Sequence, residues 1–327
     1  MKKVPMRDGY GKALLELCAE ENSKVMVLDA DVAKSTRTVW IRDQYPDHFM
    51  DMGIAEQDMV GTAAGLALGG MIPFCSTYAV FLAGRAWDQI RTTVCYNNLN
   101  VKLGGAHAGI SVGPDGATHQ ALEDVALTRV LPNMTVIVPC DAEETRKATL
   151  AMARREGPCY VRFGREAVPV VTDENTEFEI GKARLVREGT DVTVFANGAM
   201  VYEAERAAET LAAEGLSVRV VDMHTIKPLD TEAVIRAAKE TGAIVTAEEH
   251  QIEGGLGGAI AECLALNAPA PLEMVAVNDS FGQSGEPQEL MDRYGLNADS
   301  IVEKIRKVLE RELFFRIGRS KGENCSI

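Results

Sequence analysis

The residues best suited to chemistry lie in the first half of this 327-residue sequence. Glu56 stands in Gly53-Ile-Ala-Glu56-Gln, ahead of the small-residue run Val60-Gly-Thr-Ala-Ala-Gly-Leu-Ala-Leu-Gly-Gly70. A carboxylate opening such a helix has two readings. It is an acidic first-turn residue meeting free N–H groups, or a desolvated carboxyl with a raised pKa, able to share a proton with a ring nitrogen. The small side chains behind it imply that something packs very close to this helix. His107 and His119 frame Gly109-Ile-Ser-Val-Gly-Pro-Asp115-Gly-Ala-Thr-His119, a run too rich in glycine to be a packed element and so folded for close approach. Two histidines with Asp115 suit a metal, or hydroxyls and phosphate, although the spacing matches no ordinary zinc pattern. Two ordinary loop histidines are the plainer alternative. Tyr78 and Phe81, three apart, are a core stripe or a platform for a planar ring. Arg7, Arg162 and Arg165 read as surface charges, yet Arg165 lies just past a strand end, where a guanidinium can grip phosphate. Glu253-Gly-Gly-Leu-Gly-Gly258 lacks both the Gly-Lys-Ser/Thr ending and dinucleotide spacing, so it reads as a tight turn before a helix.

These groups fall on loops between alternating strands and helices. Strands are expected over 25–28, 72–75, 135–138 and 159–163, and helices over 10–21, 56–69, 80–94, 119–129 and 143–154. The polar, acidic stretch 166–182 breaks the rhythm and reads as a linker. Alternation resumes with strands over 192–195, 218–221, 243–246 and 272–277, interleaved with helices, and a last helix over about 300–315. The fold class expected is α/β, two three-layer α/β/α domains, each with a mostly parallel sheet covered on both faces. Domain bounds are 1–168 and 189–315, joined by a linker over 169–188 and followed by a polar tail over 316–327. In such sheets ligands sit past the carboxyl ends of the strands. There the first domain offers Asp29, Asp31, the segment 76–78, the loop 107–119 and Arg165. The second offers His224, His250 and the run after Glu253, a sparser set.

A net charge of −14 without a basic tract makes nucleic acid a poor partner. A local cluster of arginine and histidine still serves a small anion. No apolar run is long enough for a membrane span, and Arg7 and Asp8 interrupt any signal peptide. Seven scattered cysteines suit a reducing cytoplasm.

Together, Phe49-Met-Asp-Met-Gly-Ile-Ala-Glu-Gln57, Pro73-Phe-Cys-Ser-Thr-Tyr-Ala-Val-Phe81, Gly113-Pro-Asp-Gly-Ala-Thr-His119 and Leu131-Pro-Asn-Met134 with Pro139-Cys-Asp141 resemble transketolase. The first half is similar to its pyrimidine-binding domain and the second to its C-terminal domain. The resemblance implies thiamine diphosphate as cofactor, with the Glu56 carboxyl facing the pyrimidine N1′. It puts Phe81 against the pyrimidine with Tyr78 beside it, and Asp31 near the thiazolium. It puts Ser35 and Arg7 near the sugar phosphate. His107, Asp115 and His119 would take the donor hydroxyls and the acceptor phosphate, and Arg165 would clamp that phosphate. Glu56, His107 and His119 are then the catalytic set, and no metal ligand is assigned to this chain. Gly84 stands where a third aromatic is expected. The family's Gly-Asp-Gly segment, which holds the diphosphate through Mg²⁺, is absent from the sequence. The resemblance therefore implies the C-terminal subunit of a split transketolase of the pentose phosphate pathway. It would be dimeric and cytoplasmic, and active only with an N-terminal subunit. Three alternatives share features with it: the β subunit of a 2-oxo-acid dehydrogenase, a 1-deoxyxylulose-5-phosphate synthase-like enzyme, and a non-catalytic pyrimidine-domain scaffold. The two-histidine loop and Arg165 argue against the dehydrogenase.

Overall fold

Short apolar runs rich in β-branched residues, such as Val25–Asp29 and Cys159–Arg162, form strands buried on both faces, as parallel sheets require. The computed structural model describes residues 2–322. Its larger sheet has seven strands in the order Thr225–Lys227, Thr135–Ile137, Cys159–Arg162, Lys102–Ala106, Ile72–Tyr78, Val25–Asp29 and Phe49–Asp51. All pairs are parallel except the first, where Thr225–Lys227 crosses from the second half and pairs antiparallel with Thr135–Ile137. The second sheet has five strands in the order Leu272–Val277, Ile244–Gln251, Val192–Ala196, Val218–Asp222 and Arg184–Arg187, the last antiparallel. Two α/β domains are present, and they share one sheet edge.

Helices cover the sheets with one apolar face each. In Glu56–Leu68 the buried residues Met59, Val60, Ala63 and Ala64 follow helical spacing. The opposite face is open: a side chain at Gly61 or Gly65 would meet nothing within 4 Å. The close packing expected from its small residues is therefore not made within this chain.

Several elements differ from the sequence pattern, each for a local reason. Lys102–Ala106 is a strand although it contains Gly104 and Gly105. A Cβ at Gly104 would lie 2.4 Å from the Tyr10 hydroxyl, and one at Gly105 2.3 Å from that of Tyr160, so the two tyrosines fill the space that side chains would use. The helix expected over 119–129 begins only at Asp124 (Asp124–Arg129), after a turn in which Gln120 bonds the carbonyls of Ile110 and Gln283. The helix expected over 80–94 divides into Ala79–Arg85 and the wider turn Gln89–Cys95. The stretch read as a linker is pinned. Ala167–Pro169 pairs with Lys3–Pro5, and the Asp141 carboxylate accepts from the N–H groups of Val171 and Thr172. The last helix, Ala298–Gly322, runs past 315, and residues 323–327 of the expected tail lie outside the described residues. Among the described residues six cysteines are free and buried, and no helix is long and apolar enough to cross a membrane.

Candidate active site

Five adjacent parallel strands end at one rim of the larger sheet, and the candidate residues follow those ends. Register pairs Asp29 with Ser76, Tyr78 with Ala106, and Gly105 with Arg162. The loops that carry Asp31 and Ser35, Phe81, residues 107–119 and Arg165 therefore open on the same side. Asp29 shapes the first of them. Its buried carboxylate accepts from Val32 N–H at 2.7 Å and from the hydroxyls of Thr36 and Thr38 at 2.7 and 2.8 Å. Burial lifts its pKa to about 6, while those hydrogen bonds pull it down.

At the centre, Tyr78 stacks on His107 with ring centroids 4.5 Å apart and meets His119 edge-on at 6.1 Å. Phe81 meets His119 edge-on at 5.2 Å. Neither Tyr78 nor Phe81 is fully buried, so the pair is a wall of the site and not a core stripe. The Tyr78 hydroxyl donates to Ser35 Oγ at 3.1 Å, and Arg7 Nη1 donates to Ser35 O at 3.3 Å. The same Arg7 nitrogen lies 3.4 Å from His107 Nε2. His107 is also hydrogen-bonded to the Ser35 backbone. Burial, then Arg7 and Arg165, push the His107 pKa down to about 3, which keeps the ring neutral. Its Nδ1 is buried without a protein hydrogen-bond partner, so that nitrogen is left for a ligand.

Glu56 is the first residue of its helix and is 3% exposed. Its carboxylate meets Arg85, whose Nη1 lies 3.2 Å from both oxygens. The Arg85 guanidinium also lies 3.9 Å from the centroid of Phe81. A planar cation thus spans the Phe81 face and the Glu56 carboxylate. An aminopyrimidine needs those two features, a ring face and a carboxyl at its edge, so these residues fit that group. Arg85 is missing from the sequence reading, although its place four residues after Phe81 on one helix is a readable signal.

The remaining candidates divide. Asp115 pairs with Arg165 at 3.4 Å, and Arg165 Nη1 donates to Val112 O at 3.0 Å, so both brace the histidine loop. Asp31 is exposed, with φ of +61°. A side chain at Gly84 would meet nothing within 4 Å, so that wall is open. Arg162 is a correction: it is buried, not a surface charge, and its Nε contacts both Asp124 oxygens at 3.1 and 3.0 Å. His224 and His250 are also buried and bonded inside the second domain or to its neighbour. The turn after Glu253 precedes the helix Leu256–Asn267, capped by Glu248. His107, Asp115 and His119 do not converge as metal ligands. Among the described residues the group close enough to do so is Cys140, Glu144 and Asp222, and Arg184, 2.9 Å from Asp222, already meets its charge.

Residues 2–171 match the family model for the transketolase pyrimidine binding domain, and residues 181–301 match that for the transketolase C-terminal domain. The chain belongs to the transketolase family. A putative transketolase C-terminal section of Methanocaldococcus jannaschii is 44% identical over 310 residues, covering 94% of this chain and 97% of the relative. A solved structure described as a split gene transketolase, inactive β4 tetramer, is 50% identical with a TM-score of 0.88, covering 94% of this chain and 99% of that one. Human transketolase is 37% identical over 313 residues, which is 94% of this chain but 50% of the human protein. Transketolases use thiamine diphosphate, and this chain carries the domain of that family named for pyrimidine binding.

Proposed function

We propose that this chain is the C-terminal subunit of a two-chain transketolase that moves a two-carbon ketol unit from a ketose phosphate to an aldose phosphate. The observation that carries this is the Glu56–Phe81 pair holding one planar cation beside a neutral His107 with an unpartnered Nδ1. Thiamine diphosphate, when bound, supplies the nucleophilic carbon for breaking and forming the bond next to a ketose carbonyl. With the cofactor bound, Glu56 would exchange a proton with the pyrimidine N1′, Phe81 with Tyr78 beside it would provide the face for the ring, and Asp31 would be a carboxylate on the thiazolium side. His107 meets a donor hydroxyl through Nδ1, and His119 and Asp115 serve the remaining hydroxyls and the acceptor phosphate. Arg7, with Ser35, and Arg165 supply positive charge and hydrogen bonds for phosphate in a chain that is acidic as a whole.

The Mg²⁺ and diphosphate ligands belong, in this proposal, to a separate N-terminal subunit carrying the Gly-Asp-Gly segment. The chain also self-associates, as a dimer alone and as α₂β₂ with its partner. The open Gly61–Gly65 face and the exposed Ile54 and Leu68 favour such a contact. The buried free cysteines favour the cytoplasm. Calorimetric titration with thiamine diphosphate and Mg²⁺ tests the split site. The chain alone should bind weakly, and adding the partner should bring both binding and turnover of fructose 6-phosphate with ribose 5-phosphate. Sub-micromolar binding by the chain alone would refute it.

A further inference from the structure

The histidine loop takes its shape from the second domain. Gly109, Gly113 and Gly116 have φ of +89°, +78° and +76°, and each also faces a second-domain atom with no room for a side chain. A Cβ on Gly109 would lie 2.2 Å from Glu249 Oε1, one on Gly113 2.9 Å from Pro287 Cγ, and one on Gly116 2.5 Å from Ser284 Oγ. Hydrogen bonds reinforce the contact. Ser111 N–H donates to Glu249 Oε1 at 2.6 Å, and Gln120 Nε2 ties Ile110 O to Gln283 O at 3.0 Å each. Glu249 is itself held firmly. It lies near the end of the strand Ile244–Gln251, is 6% exposed, and its carbonyl accepts from Arg162 Nη2 at 2.6 Å. Arg162 is locked by Asp124, which also accepts from the Tyr160 hydroxyl at 2.6 Å. A chain of buried partners thus runs from the first sheet through Glu249 to the loop between the two histidines. Losing the Glu249 acceptor would leave the Ser111 N–H without its protein partner in a crowded site, and the loop would relax to find water.

We propose that Glu249 is a positioning residue for sugar recognition. By holding Ser111 it fixes where His107 and His119 stand, so the second domain sets sugar affinity without touching the sugar. This rests on the assignment of both histidines to the sugar, made above.

Two measurements separate the clamp from that assignment: amide hydrogen exchange over residues 109–116 in the full chain, and steady-state kinetics of the two-subunit enzyme with fructose 6-phosphate. In Glu249→Ala, exchange over the loop should quicken. The kcat/KM for the sugar should fall by about tenfold to a hundredfold, the scale of a misplaced group. Cofactor affinity should stay within about threefold. Glu249→Gln should behave as wild type, because its amide oxygen still accepts from Ser111. Should Glu249→Ala fail to fold, Gln120→Met, which cuts the other tie at similar volume, should show the same fall in kcat/KM. Unchanged exchange in both variants would overturn the clamp. Faster exchange with unchanged kcat/KM would overturn the positioning role and place the fault in the assignment of the histidines. Failure of Glu249→Gln to restore kcat/KM would overturn the hydrogen bond as the means.

Discussion

Replacing Glu56 with glutamine removes the negative charge from a carboxyl that is 3% exposed while keeping its shape. Two structural losses follow, and both are small. Arg85 Nη1 lies 3.2 Å from each oxygen, but 49% of the Arg85 side chain is exposed, so screening holds the pair to about 0.2–1 kcal/mol. The charge at the helix start contributes about 0.3–1 kcal/mol more. Folding should therefore survive, with Tm lowered by only a few degrees. The chemical loss is larger if the carboxyl holds the N1′ proton, because an amide cannot exchange it. A fall of about 10²- to 10⁴-fold in turnover is expected, equivalent to about 2.7–5.4 kcal/mol of barrier. The assay is transketolase turnover of the two-subunit enzyme at saturating thiamine diphosphate, together with exchange of the thiazolium C2 proton. Arg85→Met is the control: it removes the ion pair and leaves the carboxyl, so turnover should stay much nearer wild type. Wild-type C2 exchange in Glu56→Gln would refute the catalytic role and leave only the helix-start explanation.

Further outcomes follow from other buried groups. His107, held at about 3 by burial and by Arg7 and Arg165, is neutral when folded and protonates near 6.5 when unfolded. Its contribution is present above about 6.5 and is lost as pH falls toward 3, so His107→Gln should flatten the acid limb of stability measured by urea unfolding; an unchanged slope would count against this. Burial, then Asp222, push the Glu144 carboxyl well above its usual value, so its contribution is present below about 4.5 and is lost as pH rises. Glu144→Gln should accordingly gain Tm over wild type as pH rises above about 4.5, and a difference that does not change with pH would exclude the effect. Light scattering on the isolated chain should show a dimer, and a monomer across the micromolar range would remove the proposed self-association.

Local pattern made much of the fold readable. Leu272–Val277 is recovered to the residue because an apolar strand is bounded there by proline and polar turns. Lys102–Ala106 was hidden because Gly104 and Gly105 are poor strand residues, and only the tyrosines crossing them explain the choice. The candidate site was readable in part. Glu56, His107 and His119 lie in compact segments that can be read one at a time, whereas Arg85 and Glu249 matter only through residues they touch in space.

The sequence by itself determined the α/β class, the two-domain order and the transketolase segments, since each is carried by composition, periodicity or a contiguous run of residues. The tertiary structure alone decided which charges meet. Arg85 finds Glu56 across 29 positions, Arg162 finds Asp124 across 38, and Glu249 finds Ser111 across 138. Periodicity reports which face of an element is apolar. It carries no information on which polar side chains converge once parallel strands are ordered in space, and that order also leaves His107 Nδ1 buried without a protein partner.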